Sequence, residues 1–303
     1  MNNELAEKER IAIERLKAFE PDEPYYLCYS GGKDSDVIRI LAQLANVKHE
    51  LHHHLTSVDA PETVRYVKSI PDMHIDIPHD KDGNRVSMWS LIAKKGMPPT
   101  RFVRYCCSEL KEKGGEGKLK ITGVRAVESV SRKKNSGMVN IIGKPKTSQK
   151  IAEAIGADYD VNKRGNIIMN MDNSPSRRLV EHCYRTTNTM INPIIDWTDD
   201  DVWEFLHHYG CKSNPLYQCS SNRIGCIGCP LASYKKRLRE FEIYPKYKQL
   251  YISAFDKMLQ VRGERRYENA WHTGEDVFNW WLGIDENQMT LDELLEEGDF
   301  DGT

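Results

Sequence analysis

The segment YYLCYSGGKDS, residues 25–35, decides the fold class of this chain. It begins with apolar and aromatic residues, as is typical of a short buried strand, and its paired glycines permit a tight turn. Directly afterwards Val37, Ile38, Leu41 and Leu44 recur at the spacing of one helix face. The segment therefore predicts a strand, a glycine turn and a helix in immediate succession.

The turn itself, SGGKDS, has the composition of an anion-binding loop. Glycines let the backbone approach a ligand closely, and the helix that follows points its first N–H groups at that ligand. The serines add hydroxyl donors and the lysine adds a positive charge. The spacing is neither that of the dinucleotide fingerprint nor that of the Walker A loop, and an ordinary glycine turn is the alternative interpretation. The residues predicted to bind phosphate are Ser30, Gly31, Gly32, Lys33, Asp34 and Ser35.

The alternation of strand and helix continues along the chain. Strand-like patterns at residues 49–58, 73–79 and 118–124 are separated by helical patterns that start at Pro61 and cover residues 88–95. Such alternation predicts a parallel sheet with helices on both faces. The predicted fold class is α/β, with a Rossmann-like parallel sheet and a helical carboxyl-terminal cap.

Two domains are predicted along the chain. Residues 1–230 are expected to form the nucleotide-binding domain, and residues 231–303 a helical carboxyl-terminal segment. Between residues 132 and 178 the alternation breaks into polar, glycine- and lysine-rich sequence, which predicts an insertion with a mobile part. Regularity returns before Thr198, which has the position of an N-cap for the helix that follows.

Composition restricts the environment and the partners of the protein. The chain has 303 residues and a net charge of −2, so a contact with nucleic acid would have to be local. No apolar run is long enough to cross a bilayer, and the charged start of the sequence lacks a secretion signal. We therefore expect a cytoplasmic protein that does not span a membrane. Its eight cysteines are then expected to be reduced thiols.

Two cysteine pairs are candidate metal ligands: Cys106 with Cys107, and Cys226 with Cys229 in the sequence GCIGCP. Adjacent cysteines rarely form a disulfide with each other because the geometry is strained. Four thiolates from two pairs can instead surround a metal ion or an iron–sulfur cluster. Tetrahedral zinc would suit the same four thiolates, and inert buried cysteines are the remaining alternative.

The loop SGGKDS closely resembles the PP-loop of the ATP pyrophosphatase superfamily, whose members cleave ATP between its α and β phosphates with the help of Mg²⁺. Further stretches resemble the phosphoadenosine-phosphosulfate (PAPS) reductase branch of that superfamily. They are VDAPET (58–63), GVRAVES (123–129), PIIDWT (193–198) and NPLY (214–217). The resemblance covers residues 25–230 and implies an enzyme that binds an adenine nucleotide.

The resemblance also implies roles for individual residues. Asp59 and Gly123 would lie near the nucleotide, and Arg125 together with Arg132 would face its phosphates or the bound substrate. Lys33, Asp34 and Arg125 would be the catalytic residues. An arginine just after a strand, followed by a second one, suits a phosphate clamp. A solvated surface pair would explain the same arginines equally well.

The cysteine pattern resembles that of the assimilatory adenylylsulfate (APS) reductases, in which such residues hold a [4Fe–4S] cluster. Two features depart from those enzymes. The reductases usually have an altered loop, whereas SGGKDS is intact here. They also use a cysteine near the carboxyl terminus as nucleophile, and no cysteine follows Cys229 in this sequence. Cys219 is the nearest substitute, although a plain loop cysteine is the simpler interpretation.

An intact loop together with a cluster pattern resembles the sulfur-transfer members of the superfamily. The expected function is therefore ATP cleavage that adenylylates an acceptor, followed by attack of sulfur from a donor protein or from sulfide. Basic runs at residues 132–134, 235–239 and 262–266 make nucleic acid one candidate acceptor, and solvated helix faces explain them as well. The alternatives are sulfonucleotide reduction with an external or nonstandard thiol, and a non-catalytic nucleotide-dependent binding module.

Overall fold

The computed structural model describes residues 1–219, 223–262 and 271–284. The chain divides into two compact units. The first, here called the sheet unit, comprises Met1–Leu55, Ala60–Asp76 and Lys113–Ile224. The second, here called the helical unit, comprises Thr56–Asp59, Ile77–Glu112 and the described part of the chain from Gly225 onwards. The sequence-based boundary near residue 230 lies close to Ile224, but the helical unit also takes two earlier segments of the chain.

The strands of the sheet unit are β1 (Tyr25–Cys28), β2 (His49–His54), β3 (Met73–Asp76), β4 (Lys120–Ile121), β5 (Val139–Ile142), β6 (Asp160–Val161), β7 (Ile167–Met169) and β8 (Asn188–Ile191). They form one sheet in the order β3-β2-β1-β4-β8-β5-β7-β6. The pairs β1–β2, β2–β3, β1–β4 and β4–β8 are parallel. The predicted α/β class with a Rossmann-like parallel sheet is confirmed.

The insertion predicted between residues 132 and 178 is more regular than its composition indicates. It contributes β5, β6 and β7, which pair antiparallel and extend the parallel part of the sheet through β8. The prediction missed these strands because the short apolar runs of β5 and β7 lie between polar turn segments, which dominate the average composition. Val139 and Ile167 in these runs are completely buried.

The helices of the described residues are α1 (Asn3–Ala18), α2 (Lys33–Ala45), α3 (Pro61–Lys68), α4 (Met88–Lys95), α5 (Tyr105–Leu110), α6 (Val130–Asn135), α7 (Pro145–Ile155), α8 (Ser174–Cys183), α9 (Asp199–His208), α10 (Tyr234–Ile243), α11 (Pro245–Arg262) and α12 (Gly274–Leu282). Short 3₁₀ turns cover Ala126–Glu128 and Pro215–Cys219. Within these ranges no helix combines the length and the apolar character that a membrane crossing requires.

Helix α2 buries the face that its sequence predicts, and this fixes the loop at its start. Val37, Ile38 and Leu41 are completely buried against the sheet unit's core, whereas Leu44, one turn further on, is 40% exposed. Burying one large aliphatic side chain contributes roughly 1.5–3 kcal/mol. The predicted N-cap is also present, since the Thr198 hydroxyl accepts from the Asp201 amide at the start of α9.

The helical unit has its own core of aromatic side chains. Phe241, Tyr251, Phe278 and Trp281 are all buried, and the rings of Tyr251 and Trp281 lie 4.8 Å apart between centroids. Phe278 and Trp281 both belong to α12. Because this core joins α10, α11 and α12, it supports the cysteine-bearing segments of the same unit.

Candidate functional site

The loop of residues 30–35 joins the carboxyl end of β1 to the amino terminus of α2 in the sheet unit. Gly31 has a φ of +78°, a conformation that L side chains rarely adopt. A Cβ at this position would lie 2.9 Å from Val67 Cγ2 and 3.1 Å from Thr63 Cγ2. Both backbone conformation and space therefore require glycine here, as the anion-loop prediction assumed.

Two residues of the NPLY segment hold this loop in place. The side-chain amide of Asn214, which is 1% exposed, donates to the Gly31 carbonyl at 3.0 Å and to Thr63 Oγ1 at 3.1 Å. The Tyr217 hydroxyl accepts from the Lys33 amide at 2.8 Å. A phosphate oxygen that accepted from this amide would therefore replace the tyrosine hydroxyl. Neither Asn214 nor Tyr217 was among the predicted site residues, although the motif that contains them was recognised.

A network of two cations and two carboxylates lies at the start of α2 and α9. Lys33 Nζ is 2.8 Å from Asp199 Oδ1 and 3.5 Å from Asp34 Oδ2. Arg125 donates through Nε to Asp34 Oδ1 at 2.7 Å and through Nη2 to Asp199 Oδ1 at 2.8 Å. The hydrogen bond from Lys33 holds the pKa of Asp199 below its ordinary value, although burial opposes this shift. The two carboxylates thus orient two positive charges beside the loop.

Arg125 occupies a more interior position than a phosphate clamp would require. It is 1% exposed, and its remaining contact is with the Trp197 carbonyl at 3.3 Å. In this structure it acts as a positioning residue for Asp34 and Asp199. Arg132 pairs instead with Glu128, one helical turn earlier. The structure therefore places the two predicted arginines in different surroundings.

Gly123 and Asp59 lie in different units. A Cβ on Gly123 would come within 3.0 Å of the Asp34 backbone, so the chain after β4 can pass close to the loop only with glycine at this position. Asp59 belongs to the helical unit, where its carboxylate accepts from the Thr56 amide at 2.8 Å. It also interacts electrostatically with Lys111. The family resemblance alone could not indicate this local environment.

Asp36, in the first turn of α2, is a buried carboxyl that the sequence prediction missed. One of its oxygens accepts from the Tyr29 hydroxyl at 2.5 Å and from the Tyr66 hydroxyl at 2.9 Å. Its other oxygen has no hydrogen-bond partner among the residues that the structure describes. Burial raises the pKa of Asp36 to about 6 despite these two hydrogen bonds.

The substitution Asp36→Asn is expected to change how stability depends on pH. A folded-state pKa of about 6 lies above the ordinary value of 3.8. The protonated carboxyl therefore contributes stability that is fully present below the ordinary pKa and is lost as the pH rises through the folded-state pKa. The free energy of unfolding of the wild type should fall by about 3 kcal/mol relative to the variant across this window. Urea denaturation at several pH values measures the difference.

The exposed residue Asp158 offers a matched control, since Asp158→Asn makes the same chemical change on the surface of the sheet unit. Its stability relative to the wild type should vary little over the same pH range. If the difference between wild type and Asp36→Asn were equally constant, the raised pKa of the buried carboxyl would be ruled out.

The four candidate ligand cysteines belong to the helical unit. Cys106 and Cys107 lie on α5, and the segment between Cys226 and Cys229 forms a tight turn in which the Cys229 amide donates to the Cys226 carbonyl at 3.2 Å. Ile227 inside this turn donates to the Val58 carbonyl and accepts from the Tyr251 hydroxyl. The turn is therefore fixed from both sides by its own unit.

The thiols of the two pairs are close enough to influence one another. The interaction between the adjacent thiols lowers the pKa of Cys107 and, together with burial, raises that of Cys106. Cys226 and Cys229 add to the rise for Cys106. Lys111, an exposed residue, lies near Cys226, and this interaction raises the pKa of the lysine. Burial raises the pKa of the Cys226 thiol, and the nearby Lys111 opposes that rise. One ammonium group thus lies near the second cysteine pair.

The spacing of these side chains differs from that of an assembled metal centre. Among the described residues, no group of three or more His, Cys, Asp or Glu side chains is arranged so that it could hold a metal ion. The donor set nevertheless has the number and chemistry of cluster ligands, with four thiols from two segments and the ammonium of Lys111 near one of them. The predicted cluster therefore stays a prediction.

The remaining predicted features have varied surroundings. The basic run at residues 132–134 ends helix α6, and the run at 235–239 lies on α10, where Arg237 is buried against Trp281. Most of the run at 262–266 lies outside the described residues, as does the acidic end of the chain. Cys219 is exposed at the end of a 3₁₀ turn.

Comparison with known proteins identifies the family. A model of the phosphoadenosine phosphosulfate reductase domain matches residues 24–232, and the chain belongs to this family. The resemblance inferred from the loop and the later motifs is thereby confirmed.

The similarity to individual proteins is more distant. The chain is 27% identical over 228 residues to an uncharacterized protein of Methanocaldococcus jannaschii. The matched segment covers 72% of this chain and 44% of that protein. The chain is 33% identical over 66 residues to the adenosine 5'-phosphosulfate reductase of Anoxybacillus flavithermus. This matched segment covers 21% of this chain and 28% of that enzyme. The matched segments therefore span less than half of either relative.

A similar solved structure is the phosphate complex of phosphoadenylyl-sulfate (PAPS) reductase from Candida auris. It has a TM-score of 0.40 and 16% sequence identity to this chain, and the match covers 75% of this chain and 96% of that one.

Proposed function

We propose that this protein cleaves ATP between its α and β phosphates and adenylylates an acceptor for sulfur transfer. The observation that carries the proposal is the complete SGGKDS loop at the carboxyl end of β1, with Lys33 held beside it by two carboxylates. Ligands of parallel α/β sheets bind at this edge, where strand ends meet helix amino termini. Membership of the PAPS reductase family supports chemistry on adenine nucleotides linked to sulfur.

The proposed reaction has two balanced steps. An acceptor oxygen forms a bond to the α phosphorus of ATP while the bond to the β-phosphate oxygen breaks, which releases pyrophosphate. A sulfur nucleophile from a donor protein or from sulfide then displaces AMP, so that sulfur replaces the oxygen. The side chains of Lys33 and Asp34 would position the triphosphate, since positioning and charge neutralisation dominate such transfers.

Mg²⁺ is the expected companion of ATP in this site. Asp34 and Asp199 provide carboxylate oxygens, which are the ligands that this cation prefers together with phosphates. The side chain of Asp199 is 67% exposed and so remains accessible from solvent. The bound ion would neutralise part of the charge on the triphosphate.

We further propose that Cys106, Cys107, Cys226 and Cys229 hold a [4Fe–4S] cluster, with zinc as the alternative occupant. The number and type of the donors support this assignment, since both cysteine pairs belong to the same unit and the second pair lies in a tight turn. The ammonium of Lys111, which lies near Cys226, would offset part of the negative charge of such a centre. The cluster would supply a redox-active or sulfide-binding centre when bound.

A second candidate function is reduction of a sulfonucleotide with an external thiol. The similarity to an adenosine 5'-phosphosulfate reductase favours it. The exposed thiol of Cys219 is the nearest substitute for the nucleophile that such chemistry requires. A third candidate, a nucleotide-dependent binding module, would consume no nucleotide at all.

One experiment separates these functions. Anaerobically purified protein is incubated with ATP, Mg²⁺, sulfide and total transfer RNA or DNA, and in parallel with APS or PAPS and thioredoxin. Formation of AMP and pyrophosphate that depends on the acceptor, without sulfite, is the expected result. Thioredoxin-dependent sulfite release that disappears in Cys219→Ser would establish the reductase instead, and consumption of neither nucleotide would leave the binding module.

A further inference from the structure

The turn before the first cysteine pair presents a large aromatic side chain to solvent. Phe102 is 97% exposed, and Val103 beside it is 41% exposed. Burial of a phenylalanine is normally favourable by roughly 1.5–3 kcal/mol, so nearly complete exposure needs a reason. The turn lies directly before α5, only four residues from Cys106.

The turn is held firmly by its own unit. The Thr100 amide donates to the Val103 carbonyl at 3.1 Å, and the Val103 amide donates to Thr100 Oγ1 at 3.0 Å. On one side Trp281 Nε1 donates to the Pro99 carbonyl at 2.6 Å, and on the other the Tyr105 hydroxyl donates to the Met97 carbonyl at 2.8 Å. Phe102 is therefore displayed by a fixed backbone.

The charge around Phe102 has one sign. Residues 94–104, KKGMPPTRFVR, include four basic side chains and no acidic one. Arg101 and Arg104 flank Phe102 in the sequence, and neither forms an ion pair with a carboxylate in the part of the chain that the structure describes. Lys95 is different, since its ammonium pairs with Glu109 at 3.0 Å. Arg104 lies near enough to Cys107 to lower the pKa of that thiol. The turn therefore offers two guanidinium groups to an anionic partner within two residues of the exposed ring.

We propose that the turn of residues 100–104, here called the Phe102 turn, binds a single-stranded segment of nucleic acid. An unpaired base would stack on Phe102, and Arg101 and Arg104 would contact the adjacent phosphates. Aromatic stacking and phosphate neutralisation are the two interactions by which proteins bind single strands. A protein partner explains the exposed ring less well, because it would have to bring complementary carboxylates to both arginines.

This inference rests on the proposed function, since it identifies nucleic acid as the class of acceptor. It places the bound strand on the unit that carries the four candidate ligand cysteines. The choice of unpaired nucleotides follows from the exposed ring, because a base must leave its helix to stack on a side chain.

The test measures binding of fluorescein-labelled single-stranded RNA and DNA of about 15 nucleotides to the whole protein by anisotropy, without ATP. Phe102→Ala should weaken binding about tenfold, and Phe102→Trp should retain it. Val103→Ala, which alters the neighbouring exposed side chain, is the matched control and should bind like the wild type. With an oligonucleotide that carries abasic sites throughout, wild type and Phe102→Ala should bind equally.

The arginines have a separate signature. Arg101→Gln and Arg104→Gln should each lower the dependence of log affinity on log salt by about 0.7, as expected for one lost contact to a single strand. Equal binding of Phe102→Ala and wild type to the intact oligonucleotide would refute the proposal, as would a lack of binding at about 50 mM salt. If Phe102→Ala bound the oligonucleotide like the wild type but no longer accepted sulfur from a donor protein, the proposal would also be refuted. The turn would then be the binding site of that donor protein.

The outcome can be separated from that of the proposed function. The binding assay contains no nucleotide triphosphate, and variants of the ATP loop should bind the oligonucleotide like the wild type. If the protein cleaves no ATP but its binding of single strands depends on Phe102, the proposed function fails and the nucleic-acid surface stands. If ATP cleavage occurs and the substitution of Phe102 does not change oligonucleotide binding, the proposed function stands and the nucleic-acid surface fails.

Discussion

Replacing Lys33 by methionine is expected to lower ATP-dependent formation of AMP and pyrophosphate by at least about 100-fold. The ammonium group of Lys33 lies beside the loop and is oriented by Asp199 at 2.8 Å and by Asp34 at 3.5 Å. Methionine retains most of the volume of the buried stem, so the variant removes the charge with little change in packing. Chromatographic quantification of AMP and pyrophosphate measures the effect.

Lys8 provides a matched control for this substitution. Its ammonium pairs with Asp201 Oδ2 at 2.8 Å, so Lys8→Met also removes an ion pair with the first turn of α9. It does not touch the loop, and the activity of this variant should stay within about twofold of the wild type because isolated ion pairs near the surface contribute little. Normal ATP cleavage by Lys33→Met would show that the loop does not act on the triphosphate.

The iron and sulfide content of Lys33→Met shows whether the substitution affects only the ATP loop. The candidate ligand cysteines belong to the helical unit, whereas Lys33 belongs to the sheet unit. Iron and sulfide content and the ultraviolet–visible spectrum should therefore match those of the wild type. A variant that lost both activity and chromophore would point to general unfolding.

The elements around the loop could be predicted from the sequence because local pattern and tertiary structure agree there. The apolar run before Gly31 forms β1, and the spacing of Val37 and Leu41 places one face of α2 in the core. The insertion was harder to interpret, since β5 and β7 are only short apolar runs between polar turns. Their strand character depends on pairing with β8, which is distant in sequence.

The partners within the site were less accessible to sequence reasoning. Asp34 and Arg125 meet although they are 91 residues apart, and Asp199 joins them from the start of α9. Local pattern indicates that each residue follows a strand or begins a helix, but it does not give the direction of a side chain. The roles of Asn214 and Tyr217 depend in the same way on the return of a distant segment to the loop.

The cysteines show how the same limit affects a motif. The pattern of two pairs predicted that the four thiols would lie in one ligand sphere, and this stays a prediction, because the described residues hold no group of three or more such side chains arranged for a metal ion. The sequence could not reveal that Lys111 lies near one of these thiols, because a lysine four residues after Cys107 is an ordinary feature of a short helix. Only the packing of the helical unit brings its ammonium to Cys226.

Replacing Cys226 by serine is expected to abolish most of the iron and sulfide that the anaerobically purified protein retains, and to lower sulfur transfer by at least about tenfold. A serine hydroxyl is a poor ligand for iron compared with a thiolate. The side chain of Cys226 is partly buried in a turn whose backbone is fixed by hydrogen bonds within its own unit, so no neighbouring thiol can readily take its place. Iron and sulfide analysis with the visible spectrum measures the first effect, and incorporation of labelled sulfur the second.

Cys219→Ser is the control, because it removes an exposed thiol from the sheet unit and leaves all four candidate ligands in place. Its iron content and visible spectrum should equal those of the wild type. Zinc without iron or sulfide after anaerobic reconstitution of the wild type would contradict the cluster and favour a structural zinc site. Unchanged iron content in Cys226→Ser would remove this residue from the ligand set.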